Sequence, residues 1–429
     1  MINKSVMKLA VIMIAVVLVL AGCGGSKGGN SGGSGGGGDT VTLKFANFSG
    51  AGDNEKYLLE MKDAFEKAHS NIKVEIETIG YGDYFTQMQT RVAANTAPDV
   101  YELNYENFVA YAKKGVLLEL DDLLASSGFD RSVLSDKALG AFSADGKQYG
   151  MPVSFSNVVL IYNKELFDSA KVDYPNESWT WADMNSAAAQ IRALGDDKYG
   201  VYQPIQFFEF FKLVQQNGGS LFNSDMTQFT VNTPENVETL YHLTDRLLKT
   251  NIMPTEAQLS GMGDWDLFKA GRLGMIVTGV WAFPDFIQNA EFDWDVAVEP
   301  GNKQKATHFF ANGLVINKDS KQAAAALEWV KFMSASKEAS AIRVDAGWEL
   351  PPVTYEDVLQ DYLSMTPPAN RQAVFDSLNY LVTPPVIEQF TEMADILTLH
   401  LQAASQGAKT PEQALADAQK QLEETIKLN

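Results

Sequence analysis

Cysteine is nearly absent. The 429-residue chain holds one, Cys23, and none after it. The body of the protein therefore has no disulfide and no cysteine–zinc site. Histidine is scarce as well. His69, His242, His308 and His400 are scattered, with no H-E-x-x-H pairing of a zinc hydrolase. A Walker-type phosphate loop is missing, and so is a G-x-S-x-G elbow in the body after the glycine-rich stretch, so the local signatures of an ATPase and of a serine hydrolase are absent there. No metal or organic cofactor is expected. Positive charge is in deficit: 34 Lys and Arg stand against 54 Asp and Glu, for a formal charge of −20. That balance argues against nucleic acid and against direct adsorption to anionic lipid.

Long apolar runs are rare too. Leu9–Leu20 is one, preceded by Lys4 and Lys8. It falls short of the ~20 residues of a spanning helix and fits the apolar region of a signal peptide over residues 1–22. Leu20-Ala21-Gly22-Cys23 resembles the lipobox of bacterial lipoproteins. That resemblance implies cleavage before Cys23, a lipid on its sulfur and anchoring to the cell membrane. Gly24–Gly38 has ten glycines in fifteen residues and reads, within residues 23–39, as a flexible tether. The remainder exceeds the ~250–300 residues at which single cores stop growing, so two lobes are expected.

The body alternates strand and helix signals. Val41–Phe48 alternates with period two, and Leu58, Met61, Phe65 and Ala68 share a helical face. Val74–Thr78 alternates again, and Ala97-Pro98-Asp99-Val100-Tyr101 turns into a strand. This order indicates an α/β lobe. Val158–Tyr162 is an uncharged β-branched run suited to a strand buried on both faces. The polar insert Ser154-Phe155-Ser156-Asn157 before it predicts a crossing between lobes, with polar side chains facing a cleft. Asn312–Asn317 predicts a second crossing, and Gly347–Pro352 a rigid third link. Thr180 is an expected N-cap. Pro234 opens a helix, and Pro385–Gln406 and Pro411–Leu428 are expected terminal helices.

Aromatics placed at strand-end corners are the strongest chemical signal, because α/β ligands bind there. Trp281 follows Thr278-Gly279-Val280. Trp348 follows Gly347. Tyr105 lies after the Pro98-Asp99-Val100 strand, and Tyr81 and Tyr84 flank a glycine turn. A stiff ring offers contact area to a sugar face at small entropic cost. Nearby amides and carboxylates can pair hydroxyls, and an unmatched buried polar group is costly.

These segments come in a recognisable order. They are Ala97-Pro98-Asp99-Val100 with Tyr111-Ala112 and Gly115, Tyr149–Pro152 through Tyr162-Asn163-Lys164, Asn217-Gly218-Gly219, Gly271–Met275 with Gly279-Val280-Trp281, Asn312-Gly313-Leu314 and Ala326–Met333. Together they resemble the family 1 extracellular solute-binding proteins of bacterial ABC sugar importers. The resemblance runs from about Val41 to the C-terminus. It implies a two-lobe α/β periplasmic-binding-protein-like fold of type II, with three crossing segments and a ligand cleft between the lobes. The implied lobes are 40–153 plus 313–352, and 154–312 plus 353–429. The implied ligand residues are Trp281, Trp348, Asn104, Tyr105, Glu106, Asn47, Ser49, Ser156, Asn157, Gln203, Gln206 and Asn312, to which the corner aromatics add Tyr84. The charged set that maltose-binding protein carries near the positions of Ser49 and Glu106 is absent or altered here, with Asn107 where an arginine would stand. The ligand class is implied; maltose itself is not.

The reading is a non-enzymatic, monomeric, lipid-anchored receptor that delivers a carbohydrate to a permease. Two alternatives stay open at this level. One is the same fold binding a polyamine or a glycerophosphodiester. The other is a surface glycoside hydrolase using two of the many carboxylates.

Overall fold

The structure, a computed structural model, describes residues 40–428. The signal peptide, Cys23 and the glycine tether lie outside the described residues.

Nine strands build two sheets: β1 (Val41–Asn47), β2 (Ile72–Thr78), β3 (Val100–Asn104), β4 (Gly150–Ser156), β5 (Val158–Asn163), β6 (Tyr199–Tyr202), β7 (Leu273–Gly279), β8 (Trp294–Ala297) and β9 (Phe310–Ile316). The first sheet has the order β2-β1-β3-β9-β4, and the second β8-β5-β7-β6. β1 runs parallel to β2 and β3, whereas β9 runs antiparallel to β3 and β4. The helix Glu55–Ala68 makes the β1-to-β2 crossover. Its Leu58, Met61 and Phe65 fall on one face at helical spacing and are buried. All six residues of β5 are buried, which explains its unbroken apolar run.

The first crossing is one residue long. Ser156 ends β4 in one sheet, Val158 opens β5 in the other, and Asn157 lies between. The second lies between Ala297, the end of β8, and Phe310, the start of β9. Ser154, Ser156 and Asn312 thus all belong to the first sheet, although the sequence put them on the other side of the division. The third passage also falls later than Pro352. Val353 pairs with Leu134, and the Thr354 N–H donates to the Val133 carbonyl at 2.9 Å. The helix Glu356–Ser364 packs on Lys337–Asp345, while Gln372–Ser377 packs on β8 and β5. Leu350 instead pairs with Phe155, at 2.9 and 3.1 Å, and so ties this stretch to the first crossing.

Helices enclose the second sheet. Trp181–Arg192 opens with a capping box between Thr180 and Asp183. Phe207–Gln216, Pro234–Leu248, Phe390–Ser405 and Pro411–Thr425 share one apolar cluster. The penultimate helix begins at Phe390 rather than at Pro385.

Candidate functional site

A cavity of about 850 Å3 lies between the two sheets. Its walls are strand ends. β1 delivers Phe48 and Ser49 just past its last residue, and β3 delivers its own last residue, Asn104. The start of β9 gives Phe310 and Asn312. The other sheet gives Val158, Val277 and Thr278, with Trp281 just past β7. Asn104, Asn312 and Ser154 stand in one row across β3, β9 and β4.

Aromatic rings line both sides. Trp281 meets Phe310 edge-on, with centroids 5.5 Å apart, and Phe208 meets Phe310 at the same separation. Phe48 meets Tyr81 edge-on at 5.5 Å. Trp265 and Trp348 complete the set. Gly279 is required under Trp281. A Cβ at residue 279 would stand 2.0 Å from the indole, so only glycine lets the ring fold back across the strand end.

Four carboxylates reach the wall: Asp53, Glu209, Asp285 and Glu349. Among the described residues that line it there is no lysine, arginine or histidine. Three of the four are backed by a cation outside the cavity. Lys212 lies 2.8 Å from Glu209, Lys269 lies 2.8 Å from Asp285, and Arg343 lies 3.9 Å from Glu349. Glu349 also accepts from the Ser154 hydroxyl and, at 3.1 and 3.2 Å, from Asn312 Nδ2. The Arg343 guanidinium sits 4.3 Å from the centre of the Trp348 ring. Below the other rim, Glu102 accepts from the N–H groups of Phe48 and Ser49, each at 3.0 Å, and fixes that loop. Burial pushes the Glu102 carboxyl up, and these donors pull it back.

Of the expected residues, Ser49, Asn104, Gln206, Trp281, Asn312 and Trp348 are in the wall. Seven are placed elsewhere. Asn47 shapes the loop after β1: its Oδ1 accepts from Gly50 N and its Nδ2 donates to Thr78 Oγ1. Tyr84 is buried, with its hydroxyl 2.8 Å from the Glu102 carbonyl. Tyr105 begins a helix outside the wall, and Glu106 is buried beside it. Ser156 and Asn157 do not face the cleft. Both are fully buried, and Asn157 Nδ2 donates to the Val374 carbonyl at 2.7 Å. Gln203 is buried behind the wall, donating to Glu209 at 2.9 Å and to Glu299 at 3.1 Å.

The wall also contains residues outside the expected set. Tyr81, 53% exposed and paired with Tyr84 among the corner aromatics, stands one helical turn before it and takes the cavity position. Trp265 carried a usable signal, a tryptophan between Asp264 and Asp266 in a polar stretch. Glu209 and Glu349 stood in the sequence only as carboxylates a polyamine reading would use, and Phe208, Asp285 and Phe310 carried no signal, because their roles depend on which face of an apolar element meets the other lobe.

Two α/β lobes around a ring-lined cleft define a class of ligand-binding protein, and comparison with known proteins specifies it. The profile of the family described as bacterial extracellular solute-binding protein matches residues 49–340. The chain belongs to that family. It is similar to an ABC substrate-binding protein of Listeria monocytogenes solved in complex with cycloalternan. That protein is 46% identical, with a TM-score of 0.88, over 91% of this chain and 100% of that one. The diacetylchitobiose-binding protein of Streptomyces coelicolor is 25% identical over 74% of this chain and 75% of its own length. The maltodextrin-binding protein of Bacillus subtilis is 24% identical over 87% and 88%. The family and fold are those of extracytoplasmic binding proteins, so the protein is a binding protein and not an enzyme.

Proposed function

We propose that the protein captures a neutral oligosaccharide in the cleft and delivers it, as a monomer, to the permease of an ABC importer. A lipid on Cys23 would hold it at the cell membrane. The observation that carries this reading is the wall itself: stacking rings and backed carboxylates, without a cationic side chain. A phosphodiester ligand would call for arginine or lysine in the wall. A polyamine would call for uncompensated carboxylates, and three of the four here have a cation behind them. Hydroxyls suit acceptors of this kind, and sugar faces suit the rings. The volume lies high in the ~300–1,000 Å3 range of small-ligand pockets, and rings on separate elements offer stacking to more than one sugar unit. The relatives named for, or solved with, oligosaccharides agree with this size class.

The mechanism we propose is a population shift. A ligand that touches both lobes only when they are closed favours the closed form, which the permease would read. The division consistent with strand pairing is 40–156 plus 310–364 against 158–309 plus 372–428, with hinges at Asn157, at the 309–310 junction and in 365–371.

The test is titration calorimetry with tryptophan fluorescence against cycloalternan, maltotetraose, diacetylchitobiose, spermidine and glycerophosphocholine. Saturable binding of a saccharide at micromolar or lower concentration is expected. Saturable binding of spermidine or glycerophosphocholine alone would overturn the reading.

A further inference from the structure

We infer that Lys212 is a specificity-determining positioning residue of the cavity. It orients Glu209 as an acceptor for ligand hydroxyls and sets a cation behind it, where a lone carboxylate would otherwise recruit a cationic ligand. The inference rests on the saccharide reading above.

Lys212 is fully buried in the apolar helix Phe207–Gln216. A buried lysine is rare unless it is paired. Its ammonium lies 3.0 Å from Glu209 Oε1, 2.8 Å from Glu209 Oε2 and 2.6 Å from Glu299 Oε2. Gln203 joins both carboxylates through its Nε2, and its Oε1 accepts from Arg246 at 2.6 Å. Arg246 also donates to Asn185 at 2.7 Å. Two histidines face the cluster, and both are neutral. Burial takes His308, whose ring is bonded to the Phe208 carbonyl, down to about 3. Burial also depresses His242, which is stacked on Trp181. The buried set is thus two acidic groups, Glu209 and Glu299, and two cations, Lys212 and Arg246; burial pushes the Glu299 carboxyl up to about 7, and Lys212 pulls against that rise.

Glu209 alone of this set reaches the cavity wall. A carboxylate offers about four acceptor positions. Lys212 takes one of those on Glu209 by hydrogen bond and Gln203 takes another, which leaves acceptor capacity for a ligand hydroxyl. An uncompensated carboxylate in a ring-lined wall is the setting that attracts ammonium ligands. Lys212 removes that attraction from behind while leaving the acceptor in place.

The experiment compares cycloalternan, with maltotetraose as a linear control, against spermidine on wild type, Lys212→Met and Lys212→Arg at pH 7.5. In Lys212→Met, saccharide affinity should fall tenfold or more and spermidine affinity should rise tenfold or more. Lys212→Arg should keep the wild-type ratio. Affinities that fall together, or do not move, would make Lys212 a packing residue and overturn the inference. Should Lys212→Met fail to fold, Lys212→Met with Glu299→Gln removes one cation together with one buried acidic group, and the same shift in ratio is required of it. A wild type that binds no saccharide sinks the proposed function. A wild type that binds cycloalternan or maltotetraose, with an unchanged ratio in the variants, sinks this inference alone.

Discussion

Glycine 279 and glutamate 106 show how much single residues decide here. The Trp281 ring occupies the space where a Cβ of residue 279 would stand. Backbone at 279 is ordinary extended chain, φ −85°, so alanine is not strained there by its own conformation. Gly279→Ala should therefore displace the indole and weaken saccharide binding tenfold or more, as Trp281→Ala should. Calorimetry measures both, with far-UV circular dichroism unchanged; wild-type affinity in either would remove the ring from the site. Glu106 is fully buried, and neither carboxyl oxygen has a partner. Burial raises its pKa from 4.5 to about 7. The folded protein then holds a proton that the unfolded chain releases between those values. The associated stability is complete below about pH 4.5 and is lost as pH rises through 7. The loss amounts to about 3 kcal/mol. Glu106→Gln should abolish that slope and unfold at higher urea than wild type at pH 8. Equal midpoints at pH 8 would mean that Glu106 finds a partner in solution.

At the scale of elements, the segment after the helix Lys337–Asp345 is held by one buried cation. Arg343 stacks on Trp348 and approaches Glu349, and the Glu102 carboxylate acts on it as well. Removing one member of a buried charge set leaves the others uncompensated, typically at 3–5 kcal/mol. Arg343→Met should lower stability by about 3 kcal/mol in urea unfolding and weaken saccharide binding through Trp348. An unchanged midpoint would show that the carboxylates are neutral without it. The first crossing works by the same economy of buried groups. Asn157 donates to the Val374 carbonyl and stays out of the cavity wall, so it fixes the passage between sheets.

For the whole molecule, the cavity draws wall residues from both sheets, so ligand should stabilise the two lobes as one unit. At a free saccharide concentration one hundred times Kd, stabilisation should be about 2.7 kcal/mol, visible as a rise in Tm. Small-angle scattering should show a smaller radius of gyration with saccharide than without. Tight binding with an unchanged radius would mean that the lobes do not close.

The sequence by itself determined much of the element plan. Period-two and helical spacings around Val41, Leu58 and Val158 leave little choice of element, because burial on one face or on both imposes the pattern. Trp281, Trp348, Asn104 and Asn312 were legible as cavity-wall residues because they stand at strand ends or beside glycines, where packing alone does not call for them. Only the tertiary structure decided which of two adjacent tyrosines, Tyr81 or Tyr84, meets the cavity, and that Gln203 works behind the wall. It also decided that the chain stays with the first sheet past Pro352 and that Lys212 stands behind Glu209. These outcomes depend on side chains from distant segments, Val353 on Leu134 and Lys212 on Glu299. Local spacing carries no record of them, because each energy term arises only when the two segments meet.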